Sequence, residues 1–390
     1  MARVATALAA QLAPQVALHR LTALHAFGLD LAARVALRTH EQCGVPYFLT
    51  LRNSDLVSAA ARRPDPALLE RAQAILAFDN FVPQLLHEHW GIRPERTQVL
   101  PRGVDLETFR PLARRSRPKL AGMFLGRREL QSRLDGVDWM QRFVVLVVES
   151  RGDRHGFERF LFATPEILRL QPALQIVVVG GGDPVTDGLR AALAAGRAEL
   201  LHDIVATSEL CQPLVDHLER LHREQRAEAW WQAAARLEPE RRVRFAGRVT
   251  RAEFVALLRL ADLLVLPGTK PRLPSQMLFE ALACGVLPMA SEAAGIEAVA
   301  TPLAATVSGE IAALCALRND APPVRELEER VGRVSRLRPD LATALRNLAA
   351  SAYDGARAAA ALRLAYGAAA PGALASAGNL APAVPAPGSA

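Results

Sequence analysis

The fold class of this protein is decided by one stretch, ADLLVLPGTKPRLPSQMLFEALACGVLPMA, at residues 261–290. The apolar run at 263–266 has the length of a buried strand, and a proline-rich loop separates it from a helix-length segment. Ser275 is a good N-cap for that helix, and Gly285 is a good C′ residue to end it. A second apolar run begins at Leu287. The order strand, loop, helix, strand predicts one complete βαβ unit.

We expect the loop before this helix to bind an anion. The backbone N–H groups of Gln276, Met277 and Leu278 have no partner within the helix, and they point toward the carboxyl end of the preceding strand. A helix N-terminus in this position suits a pyrophosphate. Glu280 lies one turn further along, where a carboxylate can accept hydrogen bonds from a vicinal diol such as a ribose. By spacing alone, a solvated surface glutamate is an equal alternative.

The same alternation of apolar runs and amphipathic segments extends from about residue 16 to about residue 317. It is typical of an α/β protein with parallel sheets and helices on both sheet faces. We predict eight buried strands: Tyr47–Leu51, Ala74–Phe78, Thr97–Leu100, Phe143–Val148, Gln175–Val179, Val243–Phe245, Leu263–Leu266 and Leu287–Ala290.

These strands form two series, which predict two Rossmann-like domains. The charged, strand-poor stretch from Leu112 to Gln141 separates them, so we place the boundary there. Periodic leucines followed by two tryptophans indicate a helical insertion in the second series. The last residues are poor in large apolar side chains, which predicts disorder. The predicted segments are a first domain at 1–125, a second domain at 126–320 with the insertion at about 196–241, C-terminal helices at 321–366, and a disordered tail at 367–390.

The formal net charge is +7 and the isoelectric point is about 9.9, values that often accompany binding to nucleic acid or to an anionic membrane. Here the charge is almost all arginine, since only Lys119 and Lys270 are lysines, and it is scattered along the chain. The densest basic stretch, at 110–119, is interpreted as a solvated linker. We therefore predict no nucleic-acid partner.

Composition and segment pattern also bear on the cellular compartment of the protein. The four cysteines stand far apart with no C-x-x-C pair, so neither a zinc site nor a disulfide framework is indicated. We find no uncharged apolar run long enough for a transmembrane helix and no convincing signal peptide. We predict a cytoplasmic protein that can contact the inner face of the membrane peripherally.

Several of these motifs resemble those of the family-4 glycosyltransferases, which are retaining enzymes with the two-domain GT-B fold. The segment 261–290, together with 243–267 and 294–297, is similar to the donor-binding half of that family. There the second glutamate of a Glu-x7-Glu pair stands in a phrase like Glu-Ala-Met-Ala-Cys-Gly, so the resemblance implies that Glu280 holds the nucleotide ribose. The first glutamate of the pair is replaced by Arg272, which can pair only with a phosphate or a sugar carboxylate.

Another part of the resemblance concerns the leaving diphosphate. After a strand like 143–150, the family carries Gly-Arg-Leu and then Lys-Gly. Here Arg151 stands one position from the family's arginine, and His155 takes the place of its lysine. A protonated His155 would neutralise the diphosphate only partly near neutral pH. A polar surface loop is the alternative interpretation of this stretch.

The resemblance implies further donor-binding residues in two loops. Gly181 belongs to a turn similar to the family's Val-Gly-x-Gly, where glycine lets the backbone approach a ligand or a neighbouring loop. Arg248 and Val249 follow a Phe-x-Gly-like segment that lies beside the nucleobase in the family. Thr250 and Glu253 then form a predicted capping box for the next helix.

The amino-terminal half resembles the acceptor-side domain of the family. Residues 99–111 are similar to its Val-Ile-Pro-Asn-Gly-Val-Asp hinge, and Gly103 marks the crossing toward the second domain. Arg52 stands where many members carry a histidine near the acceptor, so Arg52, Asn53 and Asp55 are acceptor-side candidates; a capped strand–helix turn is the alternative. The Gly-rich loop that normally opens this domain is not found before Ala17, so we expect an incomplete first domain.

The combined prediction is a glycosyltransferase that moves a hexosyl group from a nucleoside-diphosphate sugar to a glycan or lipid-linked acceptor in cell-surface polysaccharide or glycoconjugate assembly. We expect no cofactor and no metal, because Arg151, Arg272 and the helix N-terminus at Ser275–Met277 would stabilise the leaving group. The alternative is a catalytically degenerate GT-B protein that binds a sugar nucleotide or serves as a partner subunit.

Overall fold

The structure is a computed structural model, which describes residues 1–52, 55–56, 65–78, 81–124, 128–149, 164, 167–168, 171, 173–180, 222–226, 228–229, 232, 242–268, 275–291, 295–317, 330, 332–334 and 340–368. The chain divides into two compact units. The first unit comprises Met1–Val104 and Ala352–Ala390, and the second comprises Asp105–Ser351.

The strands in chain order are β1 Leu24–Phe27, β2 Tyr47–Thr50, β3 Ala74–Ala77, β4 Thr97–Val99, β5 Phe143–Val148, β6 Leu174–Val179, β7 Val243–Gly247, β8 Leu263–Leu266, β9 Leu287–Ser291 and β10 Ala316–Leu317. The described α-helices are α1 Ala2–Leu18, α2 Leu31–Cys43, α3 Pro66–Glu70, α4 Phe81–Trp90, α5 Arg117–Phe124, α6 Arg128–Arg133, α7 Arg251–Leu260, α8 Gln276–Ala283, α9 Glu297–Thr306, α10 Gly309–Cys315, α11 Asp340–Ala352 and α12 Gly355–Ala368.

The first unit is built on a parallel sheet in the order β1-β2-β3-β4. Successive side chains of a strand point to opposite sheet faces, so the central strands β2 and β3 each supply two hydrophobic clusters. Tyr47 and Leu49 lie in the cluster that also contains apolar residues of α2, α3 and α4. Phe48 and Leu76 lie in the other cluster, which contains residues of α12. The C-terminal helix therefore completes the core of the amino-terminal sheet.

The second unit is built on a six-stranded parallel sheet in the order β10-β9-β8-β5-β6-β7. Nearly every residue of β5, β6, β8 and β9 is buried. Continuous apolar strands of this kind are typical of parallel sheets with both faces covered. Numbered from β5 within this unit, the order is that of a doubly wound Rossmann sheet, so the predicted α/β fold is confirmed.

All eight predicted strands are present, with ends within two residues of the prediction. The strands β1 and β10 were not predicted: β10 has only two residues, and β1 contains His25 and is only partly buried, so neither gives a recognisable apolar run. Most of the predicted helical insertion at 196–241 lies outside the described residues. The predicted tail begins too early, since α12 continues to Ala368; residues 369–390 also lie outside the described part.

The basic stretch at 110–119 is exposed at Arg110, Arg114, Arg115 and Lys119, but it is not only a solvated linker, because Arg117 is buried. The Arg117 guanidinium donates from Nη2 to Asp262 Oδ1 at 2.8 Å and to the Ala261 carbonyl at 3.1 Å. Arg114 binds the other oxygen of Asp262 at 3.0 Å. These ion pairs tie the stretch to the start of β8, which explains why the unit boundary falls at Val104 rather than at the predicted residue 125.

Gly103 lies where the chain leaves the first unit, and the chain returns beside it. The Val104 N–H donates to the Tyr353 carbonyl at 2.8 Å, and the Gly355 N–H donates to the Val104 carbonyl at 3.0 Å. A Cβ at position 103 would stand 2.8 Å from the Ala358 Cβ and 3.0 Å from the Gly355 Cα. The predicted structural role of Gly103 therefore has a steric basis in this close approach of two backbones.

Replacing Gly103 by alanine is expected to lower the free energy of unfolding by about 2 kcal/mol, because the new methyl group overpacks against backbone that cannot turn aside. Gly122 offers a matched control, since it lies in α5 and a Cβ added there would meet no atom within 4 Å. There the same change is expected to stabilise by about 0.5 to 1 kcal/mol through helix propensity. Urea unfolding followed by circular dichroism measures both; equal effects of the two changes would contradict the steric argument.

None of the helices in the described part of the chain is long and apolar enough to cross a bilayer.

Candidate functional site

The candidate donor site lies where the strand order of the second sheet reverses. β5 pairs with β6 on one side and with β8 on the other, and Val147 of β5 is the register partner of Val265 of β8. The next strand after β5 pairs on one side of it, and the next strand after β8 pairs on the other side, and doubly wound sheets bind ligands at such a reversal of strand order. The predicted residues Arg151 and His155 follow β5 and Arg272 follows β8, but all three lie outside the described residues.

Helix α8 begins as predicted at this edge. Ser275 is the N-cap, and its hydroxyl oxygen accepts a hydrogen bond from the Met277 N–H at 3.3 Å. The helix ends at Cys284, and Gly285 follows with a φ of 71°, as expected for a C′ glycine. The prediction that three N–H groups stand free is wrong, because Ser275 takes two of them: its hydroxyl binds Met277 and its carbonyl accepts from Leu278 at 3.0 Å. An anion must therefore compete with the cap.

Glu280 is not a solvated surface residue, so that alternative is wrong. Its side chain is 1% exposed, and both carboxylate oxygens bind the guanidinium of Arg251. Arg251 Nη1 donates to Oε2 at 3.0 Å, and Nη2 donates to Oε1. Each carboxylate oxygen keeps a further lone pair, so a ribose hydroxyl can still be accepted if Arg251 moves aside or shares the site.

Sequence reasoning missed Arg251, the partner of Glu280. Arg251 is the first residue of α7, directly after the capping box of Thr250 and Glu253, which is present as predicted. Its guanidinium carbon lies 4.9 Å from the ring centre of Phe109 and 5.8 Å from that of Phe254. Cation–π contact with two rings holds the guanidinium in place. The only sequence signal was its position beside the predicted nucleobase loop.

The other predicted donor residues lie at the same sheet edge where they are described. Arg248 and Val249 directly follow β7, with Arg248 exposed and Val249 half-buried. Gly180, next to the predicted Gly181, has a φ of 106°, and a Cβ there would lie 2.7 Å from the Cβ of Glu149. A glycine at position 180 thus allows the close approach of the end of β5. Gly181 itself lies outside the described residues.

The acceptor-side candidates are in the first unit, at the end of β2. The Asp55 carboxylate holds Arg52 side-on: Oδ2 accepts from Arg52 Nε at 3.2 Å, and Oδ1 accepts from Nη2 at 2.9 Å. The Arg52 backbone N–H also donates to Oδ2 at 2.9 Å, so the turn is capped. The charge and hydrogen bonds of Asp55 raise the pKa of Arg52. Asn53 lies outside the described residues.

The buried cysteines of the described part are unsuited to nucleophilic chemistry. Cys43, Cys284 and Cys315 are free thiols, and Cys211 is outside the described part. Burial raises the pKa of Cys284 and of Cys315 to about 12, so neither forms a thiolate nucleophile near neutral pH. Among the residues that the structure describes, no three His, Cys, Asp or Glu side chains are grouped to hold a metal ion.

Two parallel sheets, the Rossmann order of the second and the loop–helix junction at its switch point define the GT-B class of proteins. Within that class, residues 2–108 match the family model described as Glycosyltransferase Family 4. This match confirms the predicted resemblance to the family-4 glycosyltransferases over the first 108 residues, and the solved structures that share the fold confirm the predicted GT-B fold. No curated protein matches the chain significantly by sequence.

Three solved structures share the fold. A glycosyltransferase from Rickettsia africae ESF-5 is 14% identical, over 95% of this chain and 82% of that chain, with a TM-score of 0.60. Anabaena HepE, in complex with UDP and glucose, is 14% identical over 92% and 80%, with a TM-score of 0.55. Sucrose-phosphate synthase from Thermosynechococcus elongatus is 18% identical over 91% and 75%, with a TM-score of 0.55. At these identities the likeness concerns the fold.

Proposed function

We propose that the protein is a glycosyltransferase that moves a hexosyl group from a nucleoside-diphosphate sugar to a glycan or glycolipid acceptor with retention, in cell-surface polysaccharide or glycoconjugate assembly. The observation that carries the proposal is the β8–α8 junction at the sheet's switch point, with Ser275 at the helix start and Glu280 buried one turn further on. HepE, which shares the fold, has been crystallised with UDP and with UDP-glucose, so we choose UDP as the first nucleotide to test.

In this proposal the donor is bound by the second unit. The N-terminus of α8, Arg151 and Arg272 stabilise the negative charge on the leaving diphosphate, with His155 contributing when protonated. Glu280 accepts hydrogen bonds from the ribose, and the backbone at Arg248 and Val249 contacts the base. No metal is required, because fixed cations and helix N–H groups provide the positive charge. The acceptor is bound by the first unit near Arg52, Asn53 and Asp55.

The donor site is tested by thermal unfolding with UDP, GDP and ADP in turn. A nucleotide at about 100 times its Kd adds about 2.7 kcal/mol of stability, which should raise the melting temperature by about 5 °C or more. Glu280→Leu replaces the carboxylate by an apolar side chain of comparable size and removes the acceptor oxygens. Because the change also removes the ion pair with Arg251, each protein is compared with its own nucleotide-free sample. We expect one nucleotide to stabilise the wild type and to lose most of its effect in the variant. Absence of stabilisation by any nucleotide would contradict the proposal.

A second candidate function, a catalytically degenerate sugar-nucleotide binder or partner subunit, is favoured by Arg272, which replaces an acid of the family pattern. Release of UDP from UDP-glucose in the presence of acceptors separates the two functions. If the enzyme has adapted to arginine, Arg272→Glu should lower turnover, because the cation that faces the leaving phosphate is replaced by an anion. A protein that only binds the sugar nucleotide should be stabilised by it without releasing UDP. In that case Arg272→Glu should have little effect.

A further inference from the structure

An aromatic ring stands exposed at the acceptor-side edge of the first sheet. Phe27 is the last residue of β1, and 63% of its surface is accessible. Its ring stacks on that of His25, with ring centres 4.6 Å apart and planes 21° from parallel. A single exposed apolar side chain is ordinary on a protein surface. Phe27 differs in having a second ring stacked beneath it and polar groups nearby, a combination typical of ligand sites.

The His25 imidazole, on which Phe27 stacks, is held by hydrogen bonds at both of its ring nitrogens. The His25 Nδ1 lies 2.6 Å from the hydroxyl of Tyr366, on α12, and its Nε2 lies 2.6 Å from the hydroxyl of Thr50, at the end of β2. Tyr366 also packs edge-on against His25 and against Phe48. Burial lowers the pKa of His25, which favours the neutral imidazole. A neutral, doubly hydrogen-bonded ring gives Phe27 a rigid support.

A fixed cation lies at the end of the neighbouring strand. Phe27 is the register partner of Thr50, and the Gly28 N–H donates to the Thr50 carbonyl at 2.9 Å, so the two strand ends are adjacent. Gly28 lies next to Asp55: a Cβ added at position 28 would stand 3.6 Å from the carboxyl carbon of Asp55. Asp55 occupies Nε and Nη2 of Arg52, which leaves the Nη1 N–H groups available, and the Arg52 side chain is 58% exposed.

We propose that Phe27 is a stacking platform for a pyranose ring of the acceptor, with Arg52 donating hydrogen bonds to its hydroxyl or carboxylate oxygens. The C–H face of a pyranose is weakly positive and apolar, which suits the negative face of an aromatic ring. The rim of hydroxyl groups suits an adjacent fixed donor. A bare lipid tail suits the place poorly, because His25 and Thr50 are polar neighbours of Phe27 and the Arg52–Asp55 ion pair follows the adjacent strand.

This inference rests on the proposed function and deepens it, because it assigns the acceptor class as one that ends in a sugar. It also assigns different tasks to neighbouring residues. Phe27 contacts the sugar and so belongs to the binding site. His25 and Asp55 act through Phe27 and Arg52, so they are positioning residues. Neither assignment involves the nucleotide, which is bound by the second unit in the proposed function.

The test uses saturation-transfer NMR on the full chain with methyl β-D-glucopyranoside, methyl β-D-galactopyranoside and methyl β-D-glucuronoside as probes. We expect transfer from the protein to the C–H face of at least one pyranoside. Phe27→Ala should reduce that transfer at least fivefold, whereas Phe27→Trp should retain it, because a larger ring still stacks. Leu364→Ala is the matched control, since Leu364 is 60% exposed on α12 of the same unit, and it should leave the transfer unchanged.

The outcomes separate this inference from the donor site. Equal transfer in the wild type and Phe27→Ala, or none to any pyranoside, would overturn the platform even if UDP stabilises the protein. Loss of transfer only in Phe27→Ala would support it even if no nucleotide binds, and then the proposed function alone would fail. The melting temperature of Phe27→Ala checks that the exposed ring is not needed for folding. If Phe27→Ala instead abolishes binding to phosphatidylglycerol vesicles and spares the pyranosides, the surface binds lipid and the inference is wrong.

Discussion

Replacing Asp262 by alanine is expected to lower the free energy of unfolding of the second unit by about 3 to 5 kcal/mol. The Arg117 side chain is 8% exposed and that of Asp262 is 11% exposed, so the change leaves a guanidinium charge in the interior without its partner. Nε and Nη1 of Arg117 are already buried without a hydrogen-bond partner. The change also removes the acceptor of the Val144 N–H, at 2.9 Å, at the start of the central strand. Urea unfolding monitored by circular dichroism measures the loss.

An exposed ion pair of similar geometry serves as the control. Arg133 and Glu129 are in contact at 2.6 Å on α6, but their side chains are 45% and 67% exposed. Glu129→Ala is expected to change stability by less than about 1 kcal/mol, because water already solvates both charges. If Asp262→Ala proved as mild as Glu129→Ala, the claim that the arginines at 114–117 anchor this stretch to the second unit would be wrong.

The second large effect is expected from Arg251→Ala. This change leaves the Glu280 carboxylate buried at 1% exposure with neither of its two guanidinium contacts. Loss of one partner of a buried pair typically costs 3 to 5 kcal/mol, and we expect about 3 kcal/mol here, because Arg251 is 61% exposed and its removal admits some water to Glu280. The lost contacts with Phe109 and Phe254 add to the effect.

A double replacement distinguishes the ion pair from these packing contacts. Arg251→Met with Glu280→Leu removes both charges and keeps apolar volume, so we expect stability within about 1 kcal/mol of the wild type. The difference between the double variant and the sum of the single variants measures the coupling of the pair. If the double variant were as unstable as Arg251→Ala, the aromatic contacts of Arg251 would carry the stability rather than its charge.

The double variant also bears on the donor site, since it has no carboxylate at position 280. If Glu280 binds the ribose, this variant should be stable yet should lose most of the stabilisation by nucleotide seen in the wild type. Arg251 closes one side of Glu280, so nucleotide binding must share or displace that contact. A nucleotide response that survives in the double variant would assign ribose binding to other residues.

Sequence predicted the local elements of this site well. The strand β8, the N-cap at Ser275, the C′ glycine at Gly285 and the capping box of Thr250 with Glu253 all depend on residues within a few positions of one another. Hydrogen bonds from a cap to the first turn, and a left-handed glycine after the last turn, are local interactions. Patterns of neighbouring residues are enough to identify them.

The structure describes only some of the predicted donor-binding residues. Arg151, His155, Gly181 and Arg272 were placed by motif resemblance, lie outside the described residues, and stay predictions. The count of free N–H groups at the start of α8 was wrong because a good cap satisfies the very groups that an anion would bind. The same residue pattern therefore predicts a stable helix start, and it leaves fewer N–H groups for an anion because Ser275 accepts hydrogen bonds from two of them.

The sequence by itself determined the α/β class, the positions of eight strands and the helix ends, because apolar periodicity and capping are written in adjacent residues. Only the tertiary structure decided that Arg251 holds Glu280, that Arg117 reaches Asp262, and that α12 returns to cover the first sheet. These contacts join residues far apart in the chain. Burial of a charge is tolerated only where folding brings its partner to it, and no local pattern specifies which distant side chain that will be.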